Sequence, residues 1–244
     1  MKLSFTYSTI LFVFAILLYS CGKDSKCGKS TGEIQTITRD LAAFEKMNVY
    51  DKIQIELKPS TINRATITCG KNLVDYVITE SQGTELTIRN ENKCDFLRSY
   101  KKEISIVLEY TNLSKINFIG AGNVTCSDTI KQSYFEVIGE GCSGDFNLLV
   151  NTDSIRFTMT TGNSNVKLVG KTGLAYFYSG GTSLIDASNM NAFICLANNS
   201  GTGDFRLNAV DYLFAQIEEF GNIFYSGNPT VDKKGSGKGQ LIHE

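Results

Sequence analysis

Residues 155–184 read IRFTMTTGNSNVKLVGKTGLAYFYSGGTSL. Within this stretch, Ile155-x-Phe157 and Ala175-x-Phe177 stand 20 residues apart, and each is followed by a corner of small residues and a polar–apolar pair, Asn165-Val166 and then Ser183-Leu184. Outward from it, the same unit recurs six times between Ile116 and Gly227. First arms begin at Ile116, Phe135, Ile155, Ala175, Phe193 and Leu213, spaced 19, 20, 20, 18 and 20 residues apart. Two residues further on, each arm is apolar again, at Phe118, Val137, Phe157, Phe177, Cys195 and Ala215. Second arms open with Asn123-Val124, Asp145-Phe146, Asn165-Val166, Ser183-Leu184, Asp204-Phe205 and Asn222-Ile223, and Gly122, Gly144, Gly203 and Gly221 directly precede four of these pairs.

A fixed period near 20 with alternation inside it predicts an all-β, single-domain β-solenoid, with coils of about 20 residues stacked about 4.8 Å apart. Six such coils make a rod of roughly 29 Å. Like residues then sit above like residues. The first-arm apolar positions fill an interior column, which places Phe157 between Val137 and Phe177. The polar positions form a ladder at a corner, with Asn165 between Asp145 and Ser183, where side chains can bond turn amides. Glycine before the pair suggests φ values that other residues reach only at a cost. An antiparallel sandwich with even strand spacing is the competing arrangement. It gives no reason for a polar–apolar pair to recur at one place in each unit.

The first 20 residues read as a leader. Lys2 is followed by the apolar run Ile10 to Leu18, nine residues long, which suits a signal-peptide core and is shorter than the ~20 needed to span a bilayer. The run ends in Leu18-Tyr19-Ser20-Cys21-Gly22, which resembles the lipobox of bacterial lipoproteins apart from Tyr19. That resemblance implies cleavage before Cys21, lipidation of its thiol, and attachment to a membrane by the anchor alone. Residues 21–38, rich in Gly, Lys and Ser at their start, read as a flexible tether.

Residues 39–244 then form one domain. Residues 39–115 are strand-like without a clean repeat, as in Ile53-x-Ile55-x-Leu57, Ala65-x-Ile67-x-Cys69 and Ile104 to Tyr110, with one possible helical turn between Leu73 and Ile78. They read as irregular starting coils and a cap, because an open solenoid end exposes core and unpaired backbone. Residues 116–227 are the regular coils. Residues 228–244 turn at Pro229 and echo the corner pattern a seventh time at Gly239-Gln240-Leu241.

A formal charge of −1 with no basic run argues against nucleic acid as a partner. Beyond Cys21 the cysteines are Cys27, Cys69, Cys94, Cys126, Cys142 and Cys195, whose spacing fits no metal motif and leaves 15 connectivities open. Cys69 and Cys195 alternate with the core phase and read as buried thiols. Cys94 and Cys142, among polar turn-like residues, are the better disulfide candidates. No catalytic residues and no cofactor are expected. Asp145 and Asp204 are the only acids in the ladder, and three coil steps separate them by about 14 Å, too far for a carboxylate pair. Glu218 and Glu219 point to opposite faces of a strand, and His243, the sole histidine, is read as frayed.

Several elements together resemble a known family. They are the lipoprotein leader; Arg39-x-Leu41-x-x-Phe44 before an alternating strand; Asn92-x-Cys94 before Ile104-Ser105-Ile106; the G-x-G corners; and Gly221-Asn222-Ile223-Phe224-Tyr225-Ser226-Gly227-Asn228-Pro229 followed by Gly-Ser-Gly. The family is "Putative auto-transporter adhesin, head GIN domain", and the resemblance covers residues 39–244. It implies a right-handed parallel β-helix and a non-catalytic cell-envelope lipoprotein, in the outer membrane, that binds a surface glycan or another envelope protein. A structural or sensing role toward an envelope protein is the alternative, and a polysaccharide-active β-helix enzyme ranks behind both. The chain departs from the usual corner at Thr161-Gly162-Asn163 and Ser179-Gly180-Gly181. Tyr176, Tyr178 and Phe224 take the outward phase if Phe177 and Tyr225 point in, and a compact outward aromatic patch would favour the binding role. Asp128-Thr129-Ile130 and Asp153-Ser154-Ile155 resemble the Asp-(Ser/Thr)-apolar acceptor of bacterial O-glycosylation systems, which makes Thr129 and Ser154 candidate sites on connecting turns.

Overall fold

The computed structural model describes residues 30–92 and 103–244. Over these residues it is all-β apart from a 3₁₀ turn at Val74–Tyr76, the one place where the sequence allowed a helical turn. The repeat region contains β8 (Lys115–Gly120), β9 (Val124–Cys126), β10 (Ile130–Gly139), β11 (Phe146–Met159), β12 (Asn165–Ser179), β13 (Leu184–Asn199), β14 (Phe205–Ile217), β15 (Ile223–Ser226), β16 (Thr230–Lys234) and β17 (Leu241–His243). Every pairing among these ten strands is parallel. That is the β-solenoid and excludes the sandwich.

The long strands β11 to β14 each run along the second arm of one coil, bend, and continue as the first arm of the next. At the bend the buried hydroxyls of Thr152 and Thr172 bond each other at 3.0 Å, so the turn carries no unsatisfied polar group there. Two stacked faces result, one made of first arms and one of second arms, around a single core. Val137, Phe157 and Phe177 are register partners and fully buried, as the alternation predicted. Phe157 also meets Phe146 edge-on at 5.5 Å, and Phe146 meets Phe118 at 5.4 Å.

The observed register corrects several alignments. Ile116 is paired with Val137 and Phe118 with Gly139, so Phe135 lies in line with Ile155 instead of Ile116. Cys195 aligns with Ala175 and Leu213, and Ala197 takes the Phe177 position. Phe193 is therefore outside the column and 53% exposed at the bend. In the next arm Leu184, 47% exposed, occupies the ladder position above Asn165, while Ile185 is the buried member. Ser183 is buried one residue earlier, where its hydroxyl accepts the Ser164 N–H at 3.1 Å. The polar ladder is thus two runs split by a leucine. Asn165 Nδ2 donates to Asp145 Oδ1 at 2.9 Å and Asn123 Oδ1 accepts the Asp145 N–H at 2.9 Å, whereas Asp204, Asn222 and Gln240 form the second run.

The corner glycines are required for a reason other than φ. None of Gly122, Gly144, Gly203 and Gly221 has positive φ. A Cβ on Gly144 would lie 1.6 Å from the Gly122 carbonyl oxygen of the coil beneath. Close stacking of corners, rather than a left-handed backbone, excludes side chains there. The altered corners at Gly162 and Gly180 leave the coils unbroken; the register shifts fall elsewhere, between Lys167 and Val169 and around Ala187 to Ile194.

The N-terminal part holds β1 (Ile34–Asp40), β2 (Lys46–Asp51), β3 (Ile53–Pro59), β4 (Arg64–Gly70), β5 (Val77–Gln82), β6 (Glu85–Asn90) and β7 (Ile104–Tyr110). Strand β1 begins inside the stretch expected to be tether, so residues 34–38 are sheet. The coil β2–β3 is sandwiched: β2 pairs in parallel with β6 and β8, and β3 with β7 and β9. Antiparallel strands then close the end, β5 on β6, and β4 on β7 with β1 outermost. Arg39 fastens this cap, donating to the carbonyl oxygens of Val74 and Val77 and to Thr79 Oγ1. Phe44 from the same motif is buried in the core.

Among the described cysteines Cys69, Cys126, Cys142 and Cys195 are free thiols. Cys69 and Cys195 are buried as expected, and burial pushes Cys195 up to about 12. Cys142 is not a turn thiol awaiting a disulfide. It is fully buried, 3.1 Å from Ser164 Oγ and 3.7 Å from Met159 Sδ. The other candidate, Cys94, and Cys27 lie outside the described residues.

Candidate functional site

Parallel in-register stacking turns each outward position into a column. On the first-arm face one column runs Glu85, Lys46, Lys115, Glu136, Arg156, Tyr176, Leu196, Phe214, Asp232. Its first five members are charged and largely paired with one another: Lys46 with Glu85 at 3.4 Å, Lys115 with Glu136 at 3.0 Å, and Arg156 with Glu136 at 3.6 Å. The next three are apolar. Arg156 marks the border, its guanidinium 4.7 Å above the Tyr176 ring centre.

The neighbouring columns change character at the same coils. On one side Leu174, Ile194 and Tyr212 are stacked, with Tyr134 two coils before Leu174. Tyr134 and Leu174 are 45% and 37% exposed. Desolvation and then the Glu136 carboxylate raise the Tyr134 phenol above its usual range, so it is neutral at ordinary pH. On the other side Tyr178, Asn198 and Gln216 are stacked, Asn198 donating to Gln216 Oε1 at 3.3 Å. The result is a field three coils deep, half-buried except at Leu174, with aliphatic residues at its centre, aromatic rings before and after, and amides along one edge. Outward positions of a solvated sheet are normally polar, so these three coils break the pattern that the first five rungs obey.

The residues singled out from sequence are only partly together. Tyr176 and Tyr178 lie in the field on adjacent outward positions of β12. Phe224 is on the second-arm face, beneath the Arg206 guanidinium at 4.5 Å, and its neighbour Tyr225 packs inward against the core and stacks on His243 at 4.7 Å. His243 is not frayed, since it belongs to β17 and its Nε2 bonds the Gly227 carbonyl at 2.8 Å. Thr129 is half-buried in the turn between β9 and β10. Ser154 is not on a connecting turn: it lies within β11, in the column between Tyr134 and Leu174. Cys21 lies outside the described residues.

Leu174, Ile194, Leu196, Tyr212 and Phe214 were not singled out from sequence. Their outward phase was readable, for Leu196 stands between buried Cys195 and Ala197, and Phe214 between buried Leu213 and Ala215. Their convergence depends on the register, which alternation alone leaves open.

Several solved structures share the architecture of this chain. A putative adhesin from Bacteroides fragilis superposes with a TM-score of 0.83 at 21% identity, covering 89% of this chain and 100% of its own. A putative lipid binding protein from Parabacteroides distasonis gives 0.70 at 20% identity, covering 88% and 98%. A putative adhesin from Parabacteroides merdae gives 0.64 at 17%, covering 88% and 98%. These likenesses are of fold. No curated protein matches the sequence. Residues 43–229 match the family model described as "Putative auto-transporter adhesin, head GIN domain". The chain belongs to that family.

Proposed function

We propose that this protein is a non-catalytic binding module of the cell envelope, and that the first-arm field centred on Leu196 is its contact surface. The observation that supports this is the switch, within one outward column, from five charged residues to Tyr176, Leu196 and Phe214. A protein interface has this composition, with aromatic residues enriched and charge depleted at the centre. The aliphatic centre (Leu174, Ile194, Leu196) offers a glycan no hydrogen bonds, so a protein partner is favoured. A sugar reading rests on Tyr176 and Tyr178 beside the Asn198 and Gln216 amides. Attachment through lipidated Cys21, with the outer membrane as its address, completes the proposal.

Beads carrying the protein, tested for attachment to envelope preparations, separate these readings. Leu196→Glu places a charge at the centre of the field, on the outward phase of β13, and is expected to abolish attachment. Lys167→Glu on the second-arm face is expected to leave it intact. Equal attachment by both variants would remove the field from function. Glycan-array binding lost in Tyr176→Ala would transfer the assignment to sugars.

A further inference from the structure

We infer that the partner of this field is a second copy of the same chain, packed face to face with its solenoid axis reversed; the inference rests on the field being the contact surface. The central column is self-complementary about Leu196. Counting one rung at a time, Tyr176 and Phe214 flank Leu196, and Arg156 and Asp232 lie two rungs away on opposite sides. Two sheet faces can meet about a two-fold axis lying in the plane between them, and the two directions that keep the coils of both copies aligned are along the strands and along the solenoid. An axis along the strands through Leu196 sends each coil onto the coil equally far on the other side. Arg156 then faces Asp232 of the second copy, twice over, and the Tyr176 ring faces the Phe214 ring. In the flanking column Leu174 faces Tyr212, and Ile194 meets its own equivalent.

The other axis sets Arg156 against Arg156 and Asp232 against Asp232, which like-charge repulsion disfavours. Both charges are half-exposed, at 48% and 41%, and each also holds an ion pair within its own chain, Arg156 with Glu136 at 3.6 Å and Asp232 with Lys234 at 3.5 Å. The field spans about 19 Å from Arg156 to Asp232 and about 13 Å across. That is small beside the roughly 800 Å² per partner of a standard stable interface, so the pairing is reversible. Reversal of the solenoid axis puts the two capped N-terminal ends at opposite ends of the pair. Copies carried on facing surfaces meet in this orientation, and tethering there raises the effective concentration of a weak contact.

The test is a concentration series of the full chain by sedimentation velocity, with Arg156→Asp and Asp232→Arg each alone and then mixed. Wild type is expected to show a reversible monomer–dimer equilibrium. Each single variant sets like charges together at both symmetry-related positions and is expected to weaken dimerisation about tenfold or more. An equimolar mixture restores both opposite-charge pairs and returns to near wild-type association, which a misfolded variant could not do. A wild type that is monomeric throughout, single variants that dimerise normally, or a mixture no better than its components would each overturn the inference. A monomeric wild type whose beads still attach through Leu196 would show that the field is real and its partner is another protein. Loss of both would end the field's role itself.

Discussion

Removal of the Phe157 ring is the sharpest test of the stacked core. The side chain is fully buried, held between Val137 and Phe177 in the coils on either side, with Phe146 edge-on at 5.5 Å and 86°. Phe157→Ala loses the transfer free energy of the ring and leaves a cavity whose walls belong to three coils, a cost of about 3–5 kcal/mol. The edge-on aromatic pair adds about 0.5–1.5 kcal/mol, and the parallel backbone ladders on both sides limit collapse, so the upper end of that range is expected. Thr158, the next residue, points outward on the same strand, and Thr158→Ala should change stability by less than about 0.5 kcal/mol. Urea titration followed by far-ultraviolet circular dichroism measures both, and the difference between these neighbours is the quantity of interest. A Phe157→Ala stability within about 1 kcal/mol of the Thr158→Ala value would refute the stacked-column account.

Other consequences follow from the corners, the thiols and the leader. Gly144→Ala drives a methyl group to 1.6 Å from the Gly122 carbonyl and should destabilise by about 3 kcal/mol or more by the same titration, whereas Gly83→Ala, with φ +59° and open space, should cost only about 1–2 kcal/mol. The Cys195 thiol should resist alkylation at pH 8 until urea unfolds the chain. Its folded value of about 12 exceeds the ordinary 9.0, so above pH 9 the unfolded thiol ionises while the folded one keeps its proton. Stability therefore falls as pH rises from 9 to 12, and Cys195→Ala should flatten that decline. Intact mass of native protein should show loss of residues 1–20 and acyl mass on Cys21, and Cys21→Ser should leave the leader uncleaved or release the chain from membranes; an unmodified Cys21 would count against the anchor. The same spectrum reads out Thr129 and Ser154, where an unmodified mass would end the glycan assignment.

The solenoid was legible in the sequence because in-register stacking writes one position into the chain again and again. The Val137, Phe157 and Phe177 column needed only period and alternation. The errors have a common physical origin. Moving Ile116 or Phe193 by two residues along a strand keeps its in-or-out phase, so alternation cannot detect the slip. Only the backbone ladder shows that Cys195 belongs beside Ala175. At Ser183 the slip was by one residue, because a buried serine satisfied by the Ser164 amide looks, in sequence, like one more polar corner. The binding field suffered accordingly. Tyr176 and Tyr178 could be named from one strand, but Leu196 and Phe214 join them only once coils of unequal length are aligned.

The position of β2–β3 between β6–β7 and β8–β9 divides the molecule into two regimes of assembly. From Lys115 onward each strand finds its next partner a single coil further along the chain, as Arg156 finds Tyr176, so coils can be added one after another as chain becomes available. Lys46 instead pairs with Glu85 and with Lys115, and the β5–β6 hairpin of the cap lies in the chain between Lys46 and Lys115. Closing the longer of these loops costs only about 1 kcal/mol more than closing a single coil. Timing is the larger difference. A chain that emerges N-terminus first leaves one edge of β2 and of β3 unpaired until β8 and β9 are available, and only then can the first coil be enclosed. The pairings of greatest sequence separation thus belong to the amino-terminal end, and the repeats add only local ones.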